Sequence, residues 1–142
     1  MQATAKAHAN IALVKYWGKR DKVLNLPAAG SLSLTLSGLD TTTTVTFRDA
    51  PGDTLTIAGV PLDAAATAKM RPLLDEVRKR AGITAGARVE SHNSFPTGAG
   101  LASSASGMAA LALAATSAAG LVCSPTELSE LLLGKYCKFL GA

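Results

Sequence analysis

Apolar and polar positions alternate with a period of two in the first third of the chain. Within residues 3–14, Ala9, Ile11 and Leu13 alternate with Asn10 and Ala12. In 31–36 the leucines Leu32, Leu34 and Leu36 alternate with Ser31, Ser33 and Thr35. Both patterns predict half-buried strands. Residues 41–48 (TTTTVTFR) are rich in β-branched side chains and predict another, and 54–58 (TLTIA) one more. The stretch 49–53 (DAPGD) between them is a turn, so an antiparallel hairpin is the expected pairing. The period then changes. Met70, Leu73, Leu74, Val77 and Ala81 share one helical stripe, which Asp63 would cap and Gly82 would end. Pro72 lies inside that stripe and predicts a kink or a restart. A short strand is expected at 87–91. A Gly/Ser-rich turn follows, and then an Ala-rich helix that Gly120 should end. Ser124, Pro125 and Glu127 form a capping box for a further helix.

Strands around a hairpin with about three helices make this an α+β chain. No internal repeat or linker divides residues 1–142, so one domain is expected. The chain is 48% hydrophobic and 17% charged, enough for a packed core, but with 4% aromatics that core must use small aliphatic side chains. The formal net charge is +4, with basic residues scattered apart from Arg78-Lys79-Arg80. That balance suits an anionic small molecule better than nucleic acid. Cys123 and Cys137 lack metal-type spacing and make no disulfide framework, so a reduced, cytoplasmic setting is expected. No apolar signal core opens the chain, and the apolar run 107–122 is short for a bilayer, so no membrane association is expected.

Two polar stretches carry candidate chemistry. The first is 93–107 (NSFPTGAGLASSASG), a glycine turn running from a strand into a helix. The start of a helix leaves backbone N–H groups unpaired at the positive end of its dipole, an arrangement that favours phosphate. Gly98 and Gly100 let the backbone approach a bulky anion; Ser103 and Ser104 can cap the helix or reach phosphate oxygens or a metal ion. No Gly-Lys-Ser/Thr ends the turn, so it is not a Walker A loop, and Ser103 breaks the dinucleotide pattern. An ordinary capped helix has the same composition. The second stretch is 15–21 (KYWGKRD). Lys15, Lys19 and Arg20 can bind oxyanions, while Tyr16 and Trp17 can wall a pocket and donate hydrogen bonds. A solvated basic turn with Trp17 packed is the bland alternative. His92 borders the glycine turn, where a structural hydrogen bond is the expectation, and neither it nor His8 is assigned acid–base chemistry.

The order P-x-x-x-G-L-A-S-S-A resembles the phosphate loop of the GHMP small-molecule kinase superfamily. The fuller string 93–107 is similar to that of diphosphomevalonate decarboxylases. The opening NIALVKYWGKRDKVLNLPAAGSLSLTL also resembles the start of that family, so two separate matches occur in the right order over roughly residues 3–130. The resemblance implies a two-layer α/β sandwich, the ribosomal protein S5 domain 2-like N-terminal domain of the superfamily. It implies ATP- and Mg²⁺-dependent decarboxylation of 5-diphosphomevalonate to isopentenyl diphosphate, on the mevalonate route to isoprenoids. Under it, Tyr16, Trp17, Gly18 and Lys19 contact substrate, and Lys19 is the catalytic candidate, stabilising charge around the reacting hydroxyl and carboxylate. Lys69 is the nearest match to a further substrate-binding basic residue. Pro96, Gly98, Gly100, Leu101, Ala102, Ser103, Ser104 and Ala105 would cradle the ATP phosphates, with Ser104 reaching the metal of Mg-ATP.

The match stops near residue 130. The family continues with a Gly-Ser-Gly-Ser-Ala-Cys-Arg segment, where this chain reads 131–142 (LLLGKYCKFLGA). The family's catalytic aspartate lies farther on, in a C-terminal domain absent here, and neither Asp21 nor Asp40 takes its role. The chain is therefore expected to be incomplete as an enzyme. Its exposed half-interface leaves a homodimer open. Two alternatives remain: a related GHMP kinase, monophosphate decarboxylase or mevalonate 3-kinase, and a non-catalytic interaction domain.

Overall fold

The structure, a computed structural model, describes residues 1–14, 19–21, 26–27, 30, 32–96 and 103–136. Five strands form one sheet: β1 (Gln2–Val14), β4 (Leu32–Arg48), β7 (Gly86–Asn93), β5 (Thr54–Ile57) and β6 (Val60–Pro61), in the spatial order β1-β4-β7-β5-β6. The short strands β2 (Lys19–Asp21) and β3 (Leu26–Pro27) pair separately. Helices α1 (Ala64–Ala81), α2 (Ser103–Ala118) and α3 (Pro125–Tyr136) contribute to one core against one face of the large sheet. This is the expected two-layer sandwich.

The strands predicted at 31–36 and 41–48 are one strand, β4, with an irregularity between them. Gly38 adopts φ +87°, and the β1 register slips so that His8 faces Asp40 while Ala9 faces Leu36. The slip is a β-bulge, and it changes which residues of β4 face the helices. Before it, Leu34 and Leu36 lie opposite Ile11 and Ala9; after it, Thr41, Thr43, Val45 and Phe47 point into the core. A strict alternation carried across Gly38 would put the wrong side chains inside.

The predicted hairpin between 41–48 and 54–58 does not form. β7 lies between the two strands, antiparallel to β4 and parallel to β5. The turn 49–53 instead carries the chain across the end of β7. Gly86 makes the crossing feasible: a Cβ there would lie 2.2 Å from the Ala50 carbonyl oxygen and 2.4 Å from that of Gly52. Asp53 fixes it by accepting from the Ala87 N–H at 2.9 Å and pairing with Arg78, whose Nε donates to the Ala85 carbonyl at 2.8 Å. Arg78 also lies over the Phe47 ring. β5 then finds its antiparallel partner in β6, through Ala58 and Gly59, both at positive φ. That is the geometry of a two-residue hairpin turn.

Asp63 caps α1 through the Ala66 N–H at 2.8 Å, and Gly82 ends it at φ +66°. The helix runs unbroken through Pro72, so the expected restart is absent. α2 ends before Gly120, and Ser124 and Glu127 exchange hydrogen bonds at the start of α3 as their spacing predicts. The Ser124 backbone N–H and hydroxyl, both bonded to the Glu127 carboxylate, hold it below its usual pKa, with nearby Arg80 adding to the effect. Ala110, Ala114, Ala115 and Ala118 are buried on α2, which packs on β1 and β4 where Ala5 and Ala9 are also buried. Small side chains on both sides bring helix and sheet backbones close, giving the aliphatic core the composition required.

Candidate functional site

The N-terminal turn of α2 borders a cavity of about 310 Å³ between the sheet and helices α1 and α2. Its walls are mostly apolar: Leu55 and Ile57 of β5, Val89 of β7, Met70 of α1, and Met108 and Leu111 of α2. Its polar groups gather toward the start of α2. They are Thr41 and Thr43 of β4, Ser91 and Asn93 of β7, Ser103 and Ser104 of α2, and Lys69 on α1. Gly107 also lines the cavity, and a Cβ placed on it would meet nothing within 4 Å. The first turn of α2 holds no acidic side chain, so nothing there offsets its positive dipole end. A flat apolar group and an attached anion fit this combination of walls and polar end.

The polar side chains bordering the cavity are hydrogen-bonded to one another. Thr41 Oγ1 donates to Asn93 Oδ1 at 2.7 Å and lies 2.8 Å from Ser106 Oγ; Thr43 Oγ1 and Ser91 Oγ are 3.0 Å apart. Ser94, the first residue of the turn leading to α2, is anchored to the β4 bulge. Its N–H donates to the Asp40 carbonyl at 2.8 Å, and its hydroxyl accepts from the Asp40 N–H at 2.8 Å and donates to the Gly38 carbonyl at 3.2 Å.

The structure brings Lys69, Ser103 and Ser104 to one cavity. Ala105 is exposed on the same first turn, and Pro96 is exposed before it. Gly98, Gly100, Leu101, Ala102, Tyr16, Trp17 and Gly18 lie outside the described residues. Lys19 is described only as a backbone position on β2, opposite Pro27. His92 projects from β7 to the face opposite Ser91 and Asn93, away from the cavity. His8 and Lys6 pair with Asp40, whose side chain is 15% exposed. Partial desolvation raises the Asp40 pKa, but the hydrogen bonds and charges of His8 and Lys6 outweigh it and hold it below the usual range. With its carboxylate so engaged, Asp40 does not serve the cavity. Thr41, Thr43, Ser91 and Asn93 escaped the sequence reading. The signal available was a run of polar residues, Thr41–Thr44 and Ser91–Asn93, which does not say which of them face inward. Among the described residues no three metal-binding side chains cluster, and no helix is long and apolar enough to cross a membrane.

Residues 7–133 match the family described as the diphosphomevalonate decarboxylase-like N-terminal domain. The chain belongs to that family. A phosphomevalonate decarboxylase of Haloferax volcanii is 42% identical over 92% of this chain and 41% of its own length. The crystal structure of mevalonate diphosphate decarboxylase from Staphylococcus aureus superposes with a TM-score of 0.84 at 43% identity, over 96% of this chain and 42% of that one. A complex of MDDEF with MVAPP, AMPPCP and magnesium superposes with a TM-score of 0.82 at 46% identity, over 96% and 42%. The chain thus spans about two fifths of the length of these decarboxylases.

Proposed function

We propose that this chain is the nucleotide-binding part of an ATP-dependent diphosphomevalonate decarboxylase, which converts 5-diphosphomevalonate to isopentenyl diphosphate for isoprenoid synthesis in the cytoplasm. The observation that carries the reading is the cavity, with apolar walls leading to the Ser103–Ser104 end of α2. A family relative complexed with an ATP analogue and magnesium supports it.

In this reading the adenine ring lies against Ile57, Met70 and Met108, and the phosphates reach the first turn of α2 at Ser103 and Ser104. There the N–H groups of the first turn of α2 and the Ser103 hydroxyl can donate to the phosphate oxygens and stabilise the negative charge that builds during phosphoryl transfer. Ser104 is exposed and presents a hard oxygen to the same cavity, a donor type that suits Mg²⁺. When bound, the ion would neutralise charge on the transferring phosphates. Lys69 lines the cavity and can hold an anionic group of nucleotide or substrate. Tyr16, Trp17, Gly18 and Lys19 take the mevalonyl compound. Its tertiary hydroxyl is a hindered nucleophile, so positioning and charge neutralisation dominate. Phosphorylation turns that hydroxyl into a leaving group, and phosphate and carbon dioxide then depart together. Asp40 is committed to His8 and Lys6 and takes no part.

These 142 residues span about two fifths of the length of the decarboxylases they match, and by themselves are expected to bind Mg-ATP without releasing carbon dioxide. Calorimetric titration with Mg-ATP, beside a carbon dioxide assay with 5-diphosphomevalonate, tests both halves. Absence of nucleotide binding would sink the reading, and steady carbon dioxide release would show that the chain is catalytically sufficient. A second reading, decarboxylation of the monophosphate, is favoured by the Haloferax volcanii relative. Titrating mevalonate, its monophosphate and its diphosphate in the presence of nucleotide separates the two.

A further inference from the structure

Residues 94–102 lie between β7 and α2 in the chain, and the ends of both elements are tied to one residue of β4. Thr41 is 1% exposed and Ser106 3%. Thr41 Oγ1 has a single proton and donates it to Asn93 Oδ1, on the last residue of β7. In its 2.8 Å contact with Ser106 Oγ it must therefore accept. Ser106 thus donates to Thr41, with the Ser103 carbonyl as a longer contact at 3.2 Å. The outcome is a directed chain from the first turn of α2, through β4, to the end of β7.

Packing alone does not call for this arrangement. Valine has nearly the volume of threonine and would leave no hydroxyl to satisfy in the interior. A fully bonded buried polar network instead fixes the relative orientation of the elements it joins. Here those elements are the end of β7 and the first turn of α2. Ser103 and Ser104 lie less than one helical turn before Ser106, so a shift of Ser106 carries their hydroxyls and N–H groups with it.

We propose that Thr41 is a positioning residue for nucleotide phosphates: its buried hydroxyl holds the first turn of α2 in register with the end of β7. This deepens the nucleotide-binding reading and rests on it. Preorganised donors cost no rearrangement when the anion arrives, so loosening them weakens binding even where the fold survives.

The test compares the unaltered chain with Thr41→Val, Thr41→Ser and Ser106→Ala. Mg-ATP affinity is measured by calorimetry well below each melting temperature, and amide hydrogen exchange is followed over residues 103–107. Thr41→Val and Ser106→Ala are expected to weaken Mg-ATP binding about tenfold, equivalent to about 1.4 kcal/mol, and to speed exchange in that first turn. Thr41→Ser keeps the hydroxyl and should stay within twofold. Ser106→Ala improves helix propensity, so it tests the tie even if Thr41→Val fails to fold. A lowered melting temperature with unchanged affinity and exchange would overturn the proposal, as would an equal loss in Thr41→Ser. If the unaltered chain does not bind Mg-ATP, the nucleotide reading fails separately. The tie is then decided by exchange alone: faster exchange in both hydroxyl-removing variants supports it, and unchanged protection overturns it.

Discussion

The two ends of β7 are held by opposite chemistry. At the Gly86 end, a charged pair closes the structure: Asp53 is 5% exposed, Arg78 14%, and their hydrogen bonds go to each other, to Asp75 and to nearby backbone. At the Asn93 end, neutral hydroxyls make the ties, and beside them a cavity opens on the start of α2. The first end satisfies its charges internally and has nothing left for a ligand. The second is bonded just enough to be rigid, while the dipole end of α2 stays unopposed. A buried charge pair can therefore mark architecture, and the functional end can be the one with few formal charges.

The largest effect is expected from breaking the charged end. Asp53→Ala takes the carboxylate from the Ala87 N–H and leaves the Arg78 guanidinium only the exposed Asp75 and the Ala85 carbonyl, and about 3 kcal/mol of stability should be lost. Gly86→Ala should approach the same size, because its Cβ meets backbone oxygens rather than a movable side chain. Chemical denaturation measures both. Mg-ATP affinity of the folded fraction should change by less than twofold. A large affinity loss without destabilisation would show that the two ends are not separate devices.

Next in size is a change at the cavity itself that moves stability and binding in opposite directions. Gly107→Leu removes a helix-interior glycine, which should add up to about 1 kcal/mol to stability. Its Cβ has open space, and the rest of the side chain would enter the cavity. Mg-ATP affinity should fall at least tenfold while the melting temperature holds or rises. Intact affinity would place the nucleotide elsewhere.

The same contrast explains what could be read from sequence. Caps and stripes were legible because their signals are local: Asp63, Gly82, Ser124 and Glu127 all do as their spacing suggests. The two motif matches identified the family, and Ser103, Ser104 and Lys69 do share a cavity. The insertion of β7 between β4 and β5 was not legible, since it depends on how closely the 49–53 backbone passes Gly86. A local rule gives a kink or a restart at Pro72; the restart is absent, and Leu73, Leu74 and Val77 are fully buried just beyond it in the same helix. Thr41 was hidden for a related reason. The bulge at Gly38 decides which of the four threonines 41–44 face inward, and no periodicity crosses a bulge intact.

The smallest effect should come from Asp40, which stands beside the open end without belonging to its chemistry. Its pKa is depressed in the folded chain by His8 and Lys6, so its contribution is present above the unfolded value and lost as protons return. The unfolded value is about 3.9, so acid should erode this contribution from about pH 4 downward, through the lower folded value. In Asp40→Asn this carboxylate is gone, and stability should vary less with pH over that window than in the unaltered chain. The ties from Asp40 to Ser94 run through the Asp40 backbone N–H and carbonyl, and the substitution leaves both in place. Mg-ATP affinity near pH 7.5 should therefore stay within twofold. Thermal melts between pH 2 and 7, with one titration at neutral pH, read both expectations. A matching loss of affinity would mean that the outer-face pair, and not the main chain of the bulge, holds the turn into α2.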